Sequence, residues 1–279
     1  MGWRDRGIEI KTPDQIAQMR VAGRLVGETL ELLREHVRPG VTTGELDALA
    51  EDHIRGAGGV PSFKGYSHPP FPATICASVN DQVVHGIPGD RVLAEGDVVS
   101  IDCGAIVDGW HGDAAITVGV GEVREDVAAL MRVTEASMWA GIAAARLGGR
   151  VSDISHAVES SVRAQPHPTG GSFGILEDFT GHGIGTAMHQ PPNVPNFGRP
   201  GRGPKLELGL ALAVEPMVTL GSKDTLVDDD EWTIVSDDGS WAAHFEHTFT
   251  LTPDGAWVLT ALDGGREVLG RLGVPYGGD

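Results

Sequence analysis

The stretch IDCGAIVDGWHGD, residues 101–113, decides the predicted fold because it combines a tight turn with two acids in an apolar setting. An Asp-Gly pair between β-branched and apolar runs is typical of a two-residue β-hairpin, so we expect the turn at Asp108 and Gly109. Counting outward from that turn places Asp102 and Asp113 on one face as diagonal neighbours. Two carboxylates on diagonal positions, about 7 to 8 Å apart at Cα, repel each other unless positive charge lies between them.

Two further acids lie in apolar, strand-like sequence. Glu215 falls within LGLALAVEPMVTL, residues 208–220, and Glu246 within AAHFEHTFTLT, residues 242–252. An unpaired carboxylate in such a setting carries a large desolvation cost. Carboxylates joined by imidazoles from GHGIGTAMH, residues 181–189, form a donor set that suits Mn, Fe(II), Co or Zn in a two-metal site rather than a structural zinc. The alternative for each residue taken alone is a capped loop, an arginine pair or a core histidine.

Composition excludes several classes of partner. The chain has 279 residues, 41% of them hydrophobic and 22% charged, which is enough to bury the core of one large globular domain. Acids outnumber bases 39 to 21 for a net charge of −18, so nucleic acid and anionic membranes are not expected partners. Only Cys76 and Cys103 are present, too few for a disulfide framework, and no apolar run is long enough for a signal peptide or membrane span. We therefore expect a cytoplasmic protein.

Periodicity along the chain predicts an α+β fold. Thr12 with Gln15, and Thr42 with Glu45, form capping-box patterns that open two helices, the second ending at residues 58–59. A second helical section, roughly residues 122–164 with a Gly-Gly break at 148–149, precedes more strand-like sequence. The repeated order suggests two related halves, about 12–120 and 121–265, within a single domain. QPHPTGGS, HQPPNVPNFGRPGRGP and the acidic VDDDE at 165–172, 189–204 and 227–231 are interpreted as surface loops.

Five separated motifs resemble those of type I methionine aminopeptidases, in that family's order. They are NDQVVHGIP, IDCGAIVDGWHGD, GHGIGTAMH, VEPMV and DEWTIVSDDGSWAAHFEHT, and the similarity covers nearly the whole chain. The resemblance implies the pita-bread fold, with two pseudo-symmetric halves of antiparallel sheet covered by helices around a dinuclear metal site. It also implies removal of the N-terminal methionine from nascent proteins and peptides. Two divalent ions (Co, Mn, Fe(II), Zn or Ni) would hold and acidify a bridging water that attacks the first peptide bond.

The resemblance also assigns roles to individual residues. The implied metal ligands are Asp102, Asp113, His182, Glu215 and Glu246. Catalytic roles are implied for His85, which would contact the peptide nitrogen, for His189, which would steady the tetrahedral oxygen, and for Glu215, which would shuttle a proton. The implied walls of the methionine pocket are Tyr66, Phe71, Cys76, His85, Met188 and Trp232.

Partners follow from the presumed substrate. The expected substrates are nascent N-termini that start with methionine. We expect no N-terminal zinc-finger extension, so contact with the ribosome is implied only through these substrates. We expect a monomer.

The sequence departs from the family at three positions near these motifs. Met188 replaces a common aromatic residue, Gln190 a usual glutamate and His244 a frequent glutamine, which affects the expected shape of the pocket.

Two other functions are compatible with the same motifs. An Xaa-Pro aminopeptidase or prolidase would use nearly the same ligands, although only about a hundred residues precede Asp102 and those enzymes usually carry an extra N-terminal domain. A pita-bread protein that has lost its metals would bind without catalysis.

Overall fold

Both predicted capping boxes open helices in the computed structural model, which describes residues 7–278. The Thr12 amide donates to Gln15 Oε1 at 2.8 Å, and the Gln15 amide donates back to Thr12 Oγ1 at 3.3 Å. Thr42 and Glu45 exchange the same pair of bonds, at 2.8 and 3.1 Å. Each box satisfies amides that would otherwise lack a partner in the first helical turn. The second helix ends at Gly56, two residues before the predicted break.

The described residues form five helices and fifteen strands. The helices are α1 (Pro13–His36), α2 (Thr43–Gly56), α3 (Glu125–Ala144), α4 (Val151–Arg163) and α5 (Arg266–Arg271). The strands are β1 (Val60–Pro61), β2 (Ile75–Val79), β3 (Gln82–Val84), β4 (Val98–Val107), β5 (Trp110–Gly119), β6 (Gly174–Ile175), β7 (Gly181–Gly183), β8 (Gln190–Val194), β9 (Ala211–Val214), β10 (Met217–Thr219), β11 (Thr225–Val227), β12 (Ile234–Ser236), β13 (Ala242–His244), β14 (Glu246–Leu251) and β15 (Ala256–Val258). The predicted α+β class is confirmed.

A nine-stranded sheet forms the centre of the molecule. Its strands run in the order β1-β4-β5-β14-β9-β7-β8, with β2 also paired to β4 and β15 to β14. Two three-stranded sheets, β13-β10-β6 and β11-β12-β3, lie beside it. A long helix, a shorter helix and then strands occur in that order twice along the chain.

The prediction of a loop across residues 189–204 is wrong at its start, because Gln190–Val194 forms β8. This strand carries Pro191 and Pro192, and it lies at the edge of the large sheet. An edge strand tolerates prolines because the amides they lack are not needed by a further neighbour.

Side chains along the β4–β5 hairpin point alternately toward the hydrophobic core and toward the acidic site. Ile101, Cys103 and Ala114 belong to the main hydrophobic core, which the four long helices cover. Successive side chains of a strand point to opposite faces, so Asp102 and Asp113 lie on the face away from that core. The helix layer approaches closely at Gly112, where an added Cβ would lie 2.7 Å from an α1 backbone nitrogen. Among residues 7–278, no helix combines the length and apolar character that crossing a bilayer requires.

Candidate active site

The hairpin has the register expected from its turn. Asp102 pairs with Ala115 and Gly104 with Asp113, so the two aspartates are diagonal neighbours on one face. Asp108 and Gly109 have φ angles of 49° and 82°, the left-handed values that a type I′ turn requires at both central residues. Local turn chemistry thus places the first two acids.

Neighbouring strands bring two more acids to the same place. Glu246, the first residue of β14, pairs with Ala115, so it lies in one cross-strand row with Asp102. Glu215 directly follows β9, which pairs with β14 on its other side. Four carboxylates from distant parts of the chain therefore line one cavity.

His182 faces these acids from β7. The flanking Gly181 and Gly183 allow backbone contacts with the Ala213 and Pro191 carbonyls that a Cβ would block. The Gly183 carbonyl, 3.0 Å from His182 Nδ1, can only accept a hydrogen bond, so Nδ1 carries the proton and Nε2 presents a lone pair. The carboxylates surround Nε2, at distances of 3.4 Å for Glu215 Oε1, 3.9 Å for Asp113 Oδ2 and 4.0 Å for Glu246 Oε1.

The acids perturb one another strongly. Burial raises the pKa of Asp102 to about 7. Burial, together with repulsion from its acidic neighbours, raises the pKa of Asp113, of Glu215 and of Glu246 well above the usual range. The pKa of His182 is lowered to about 3, chiefly by burial, so its imidazole is neutral. A neutral imidazole beside clustered carboxyls is the protonation state that a metal ion requires of histidine.

The donor set fits divalent metal ions. Asp102 Oδ1, Asp113 Oδ1 and Glu246 Oε1 are buried without a hydrogen-bond partner among the described residues. The described residues that line the cavity include no lysine or arginine to neutralise the acids. Two donors that share one ion at about 2.0 to 2.2 Å lie at most about 4.4 Å apart, and the separations around His182 Nε2 fall within that limit.

Ligand atoms of Asp113, His182 and Glu246 lie within 4.8 Å of one another, as do those of a second triad, Glu215, His244 and Glu246. Asp102 lines the same cavity but belongs to neither triad.

Apolar side chains line the rest of the cavity that the acids share. The whole cavity, acids included, has a volume of about 190 Å³, below the roughly 300 Å³ at which pockets for drug-sized ligands begin. All six side chains predicted for the pocket line it: Tyr66, Phe71, Cys76, His85, Met188 and Trp232. The sequence interpretation missed four others, Phe63, Ser67, Phe179 and Thr180. Phe63 and Phe179 precede quoted motifs, and only three-dimensional folding shows that they face the pocket.

Both predicted auxiliary histidines lie on the cavity wall. His85 has φ 60°, an uncommon left-handed conformation for a non-glycine residue, and its ring meets Phe179 and Trp232 edge-on. Backbone outliers of this kind cluster at functional sites. His189 Nδ1 shares a 2.8 Å hydrogen bond with the Tyr66 hydroxyl, and its ring centroid lies 4.3 Å from that of His182.

The three departures from the family pattern have different surroundings. Met188 is buried in the apolar pocket cluster. The Gln190 amide donates to Glu9 Oε2, so this side chain binds the segment before α1 rather than the acids. His244 is buried, with Nε2 3.9 Å from Glu215 Oε2.

Comparison with known proteins places this site in a family. The model of metallopeptidase family M24 matches residues 17–253. A methionine aminopeptidase from Clostridium acetobutylicum is 48% identical over 92% of this chain and 100% of its own. Methionine aminopeptidase 1 from Mycobacterium tuberculosis is 50% identical over 91% of this chain and 96% of its own.

Solved structures agree with this placement. The crystal structure of methionine aminopeptidase from Rickettsia prowazekii has a TM-score of 0.86 and 38% identity, covering 91% of this chain and 99% of its own. The prolidase from Pyrococcus furiosus has a TM-score of 0.71 but 20% identity, covering 92% of this chain and 66% of its own, so that likeness shows the fold alone. The chain belongs to metallopeptidase family M24, and its fold is the pita-bread fold predicted from the motifs. Within the family its 48% and 50% identical relatives are methionine aminopeptidases.

Proposed function

We propose that this protein is a metal-dependent aminopeptidase that removes the N-terminal methionine from proteins and peptides. The observation that carries the proposal is that the acid–histidine centre and a set of apolar side chains line one cavity of about 190 Å³. The apolar part of a cavity of this size holds one side chain, which supports cleavage after the first residue of the substrate. Relatives near 50% identity that are named for methionine removal support the same substrate.

The metal-binding part of the proposal assigns two divalent ions to five side chains. The ligands would be Asp102, Asp113, His182, Glu215 and Glu246. When bound, the ions supply Lewis acidity that activates water and polarises the scissile carbonyl. The unpartnered carboxylate oxygens and the absence of lysine or arginine among the described lining residues support this assignment. Of the candidate ions, Co, Mn, Fe(II), Zn and Ni all accept oxygen and imidazole donors.

The remaining steps are assigned to protein groups. Water adds its oxygen to the carbonyl carbon, and Glu215 takes the water proton and passes it to the departing amine as the carbon–nitrogen bond breaks. Burial raises the pKa of Glu215, which suits a group that must hold a proton before releasing it. His189 would donate to the carbonyl oxygen as its negative charge grows, and His85 would hydrogen-bond the peptide nitrogen of the leaving side.

Selectivity for methionine would come from soft and aromatic contacts. Phe71, Cys76 and Met188 are buried in one apolar cluster, and Trp232 packs against it. Phe71 and Trp232 meet edge-on with centroids 5.1 Å apart. An unbranched thioether follows such a surface and makes favourable contacts with aromatic rings.

The element order supports two related halves, about residues 12–120 and 121–265. We infer that they form one catalytic domain that acts as a monomer.

The test combines metal analysis with a choice of substrates. Chelator-stripped protein is reloaded with Co(II) or Mn(II), and hydrolysis of Met-Ala-Ser is compared with that of Ala-Pro-Ser. We expect methionine release that depends on added metal. Asp113→Asn should lower activity by more than the roughly 10- to 100-fold typical of losing an outer-shell metal partner. Asp108→Asn, in the exposed turn of the same hairpin, is the matched control and should retain activity.

Each rival function has its own outcome. Faster cleavage of Ala-Pro-Ser would identify an Xaa-Pro peptidase. A folded protein that binds no divalent ion and cleaves neither peptide would be a binding protein that keeps the fold.

A further inference from the structure

His244 is a buried imidazole whose position the five-ligand assignment leaves unexplained. The side chain is 2% exposed, and its Nε2 has no hydrogen-bond partner among the described residues. A buried polar nitrogen without a partner destabilises the fold, because it has lost its hydrogen bonds to water and gained none in return. This nitrogen therefore requires a physical explanation.

The free nitrogen points toward two acids of the centre. Nε2 lies 3.9 Å from Glu215 Oε2. The ligand atoms of His244, Glu215 and Glu246 lie within 4.8 Å of one another. A direct N–H···O bond needs about 2.7 to 3.2 Å, so 3.9 Å is too long for His244 to serve as a hydrogen-bond donor to Glu215. The separation is instead one that two donors to a shared ion can have, since each would lie about 2.0 to 2.2 Å from it.

The backbone of His244 is fixed in place before any ion arrives. Its amide donates to Thr117 Oγ1 at 2.9 Å and, more weakly, to Ser100 Oγ at 3.3 Å. The Thr117 hydroxyl donates in return to the His244 carbonyl at 2.7 Å. Pairing of His244 with Met217 attaches it to the strand that follows Glu215. Ligands held on rigid strands by such secondary contacts lose little freedom when they bind.

We propose that His244 is an additional protein ligand, giving its Nε2 to the ion shared by Glu215 and Glu246. This inference rests on the proposed metallopeptidase function. It makes the centre richer in nitrogen than the five-ligand assignment, in which His182 is the single imidazole. Imidazole favours Co, Ni and Zn over Mn, which prefers oxygen, so His244 would shift the metal preference of this protein.

The first measurement counts imidazoles in the wild-type protein. Chelator-stripped protein is loaded with two equivalents of Co(II), and X-ray absorption at the cobalt edge gives the number of imidazoles per ion. The proposal predicts two coordinated histidines for two cobalt ions, which is an average of one imidazole per ion. If His182 alone binds, the average is one half. The latter value would overturn the proposal and leave the proposed function intact. A protein that binds no Co(II) would instead overturn the proposed function, and this inference with it.

The second measurement uses His244→Gln with a matched control. The variant should bind Co(II) about tenfold or more weakly by calorimetry, on the scale of losing a metal-site interaction, and Mn(II) less than about threefold more weakly. Its imidazole average should fall to one half. His85→Gln, which removes a cavity histidine that belongs to neither triad, should keep the wild-type imidazole average and Co(II) affinity. Equal Co(II) affinity in His244→Gln and wild type would contradict the proposal.

Circular dichroism of the metal-free variants checks that they are folded. If His244→Gln fails to fold, the wild-type imidazole count decides the question alone.

Discussion

Binding of divalent ions should be strongly coupled to pH, because the ion-free acids hold protons. Burial raises the pKa of Asp102 to about 7. This carboxyl is therefore about 90% protonated at pH 6 and about 10% protonated at pH 8. An ion that binds the carboxylate must displace the proton. Asp102 alone should release about 0.9 proton at pH 6 and about 0.1 at pH 8. The pKa values of Asp113, Glu215 and Glu246 are also raised. These acids should therefore also release protons when an ion binds.

The direction of the pH effect follows because a protonated carboxyl cannot bind a metal ion. The affinity for divalent ions must therefore rise with pH, and the contribution of Asp102 to this rise should level off above pH 7. For one group with a pKa of about 7, the apparent dissociation constant falls about eightfold between pH 6 and pH 7.5. His182 does not oppose this trend, because its pKa of about 3 leaves it neutral over the whole interval.

Calorimetric titration of stripped protein with Co(II) tests both trends, with the numbers for Asp102 as the smallest proton release at pH 6 and the smallest change in affinity, because the other three acids add to them. Measuring at pH 6, 7, 7.5 and 8, in buffers with different ionisation enthalpies, separates the proton count from the heat of binding. Asp108→Asn should leave the proton count unchanged. A dissociation constant that stays constant from pH 6 to 7.5 would refute the reasoning. Proton release that increases with pH would also refute it, because it would come from coordinated water rather than from carboxyls.

Three other predictions follow from packing and from the cavity wall. Gly112→Ala should lower the melting temperature by about 2 to 12 °C, because the added Cβ would meet the α1 backbone. Gly56→Ala, with open space around it, should not lower the melting temperature. Equal melting temperatures for the two variants would contradict the close approach at Gly112. Tyr66→Phe removes the hydrogen bond to His189 and should lower kcat about two- to tenfold at nearly constant KM; an effect on KM alone would contradict a positioning role. Cys76, whose pKa burial raises well above the usual range, should resist iodoacetamide at pH 8 until urea unfolds the protein; rapid labelling of the native thiol would contradict this.

Features set by neighbouring residues could be predicted from the sequence. The hairpin register follows from the Asp108–Gly109 turn, and it places Asp102 and Asp113 together without further information. The helix starts follow from side chains three residues apart, as at Thr12. In each case a local contact determines the structure, so a short window of sequence contains the necessary information.

Features set by distant pairing could not be predicted in this way. Nothing near Glu246 indicates that it pairs with Ala115, because strand order depends on packing across the whole chain. The family resemblance supplied that grouping instead. The same limit explains why sequence patterns do not identify Phe63 and Phe179 as pocket walls, or His244 as a neighbour of Glu215. The two prolines of β8 are typical of a loop, so the sequence does not predict this edge strand.

Asp102 and Glu246 lie in one row across three neighbouring strands. During synthesis the acidic centre can therefore form only after both residues have been made. More than half of the polypeptide separates its first acid from its last. A ribosome must therefore translate past the codon for Glu246 before any copy becomes competent, and a truncated product that stops earlier lacks one of the four acids altogether. Two complementary fragments, cut within a surface loop between these positions, would each be inert and would regain the centre only by reassociation.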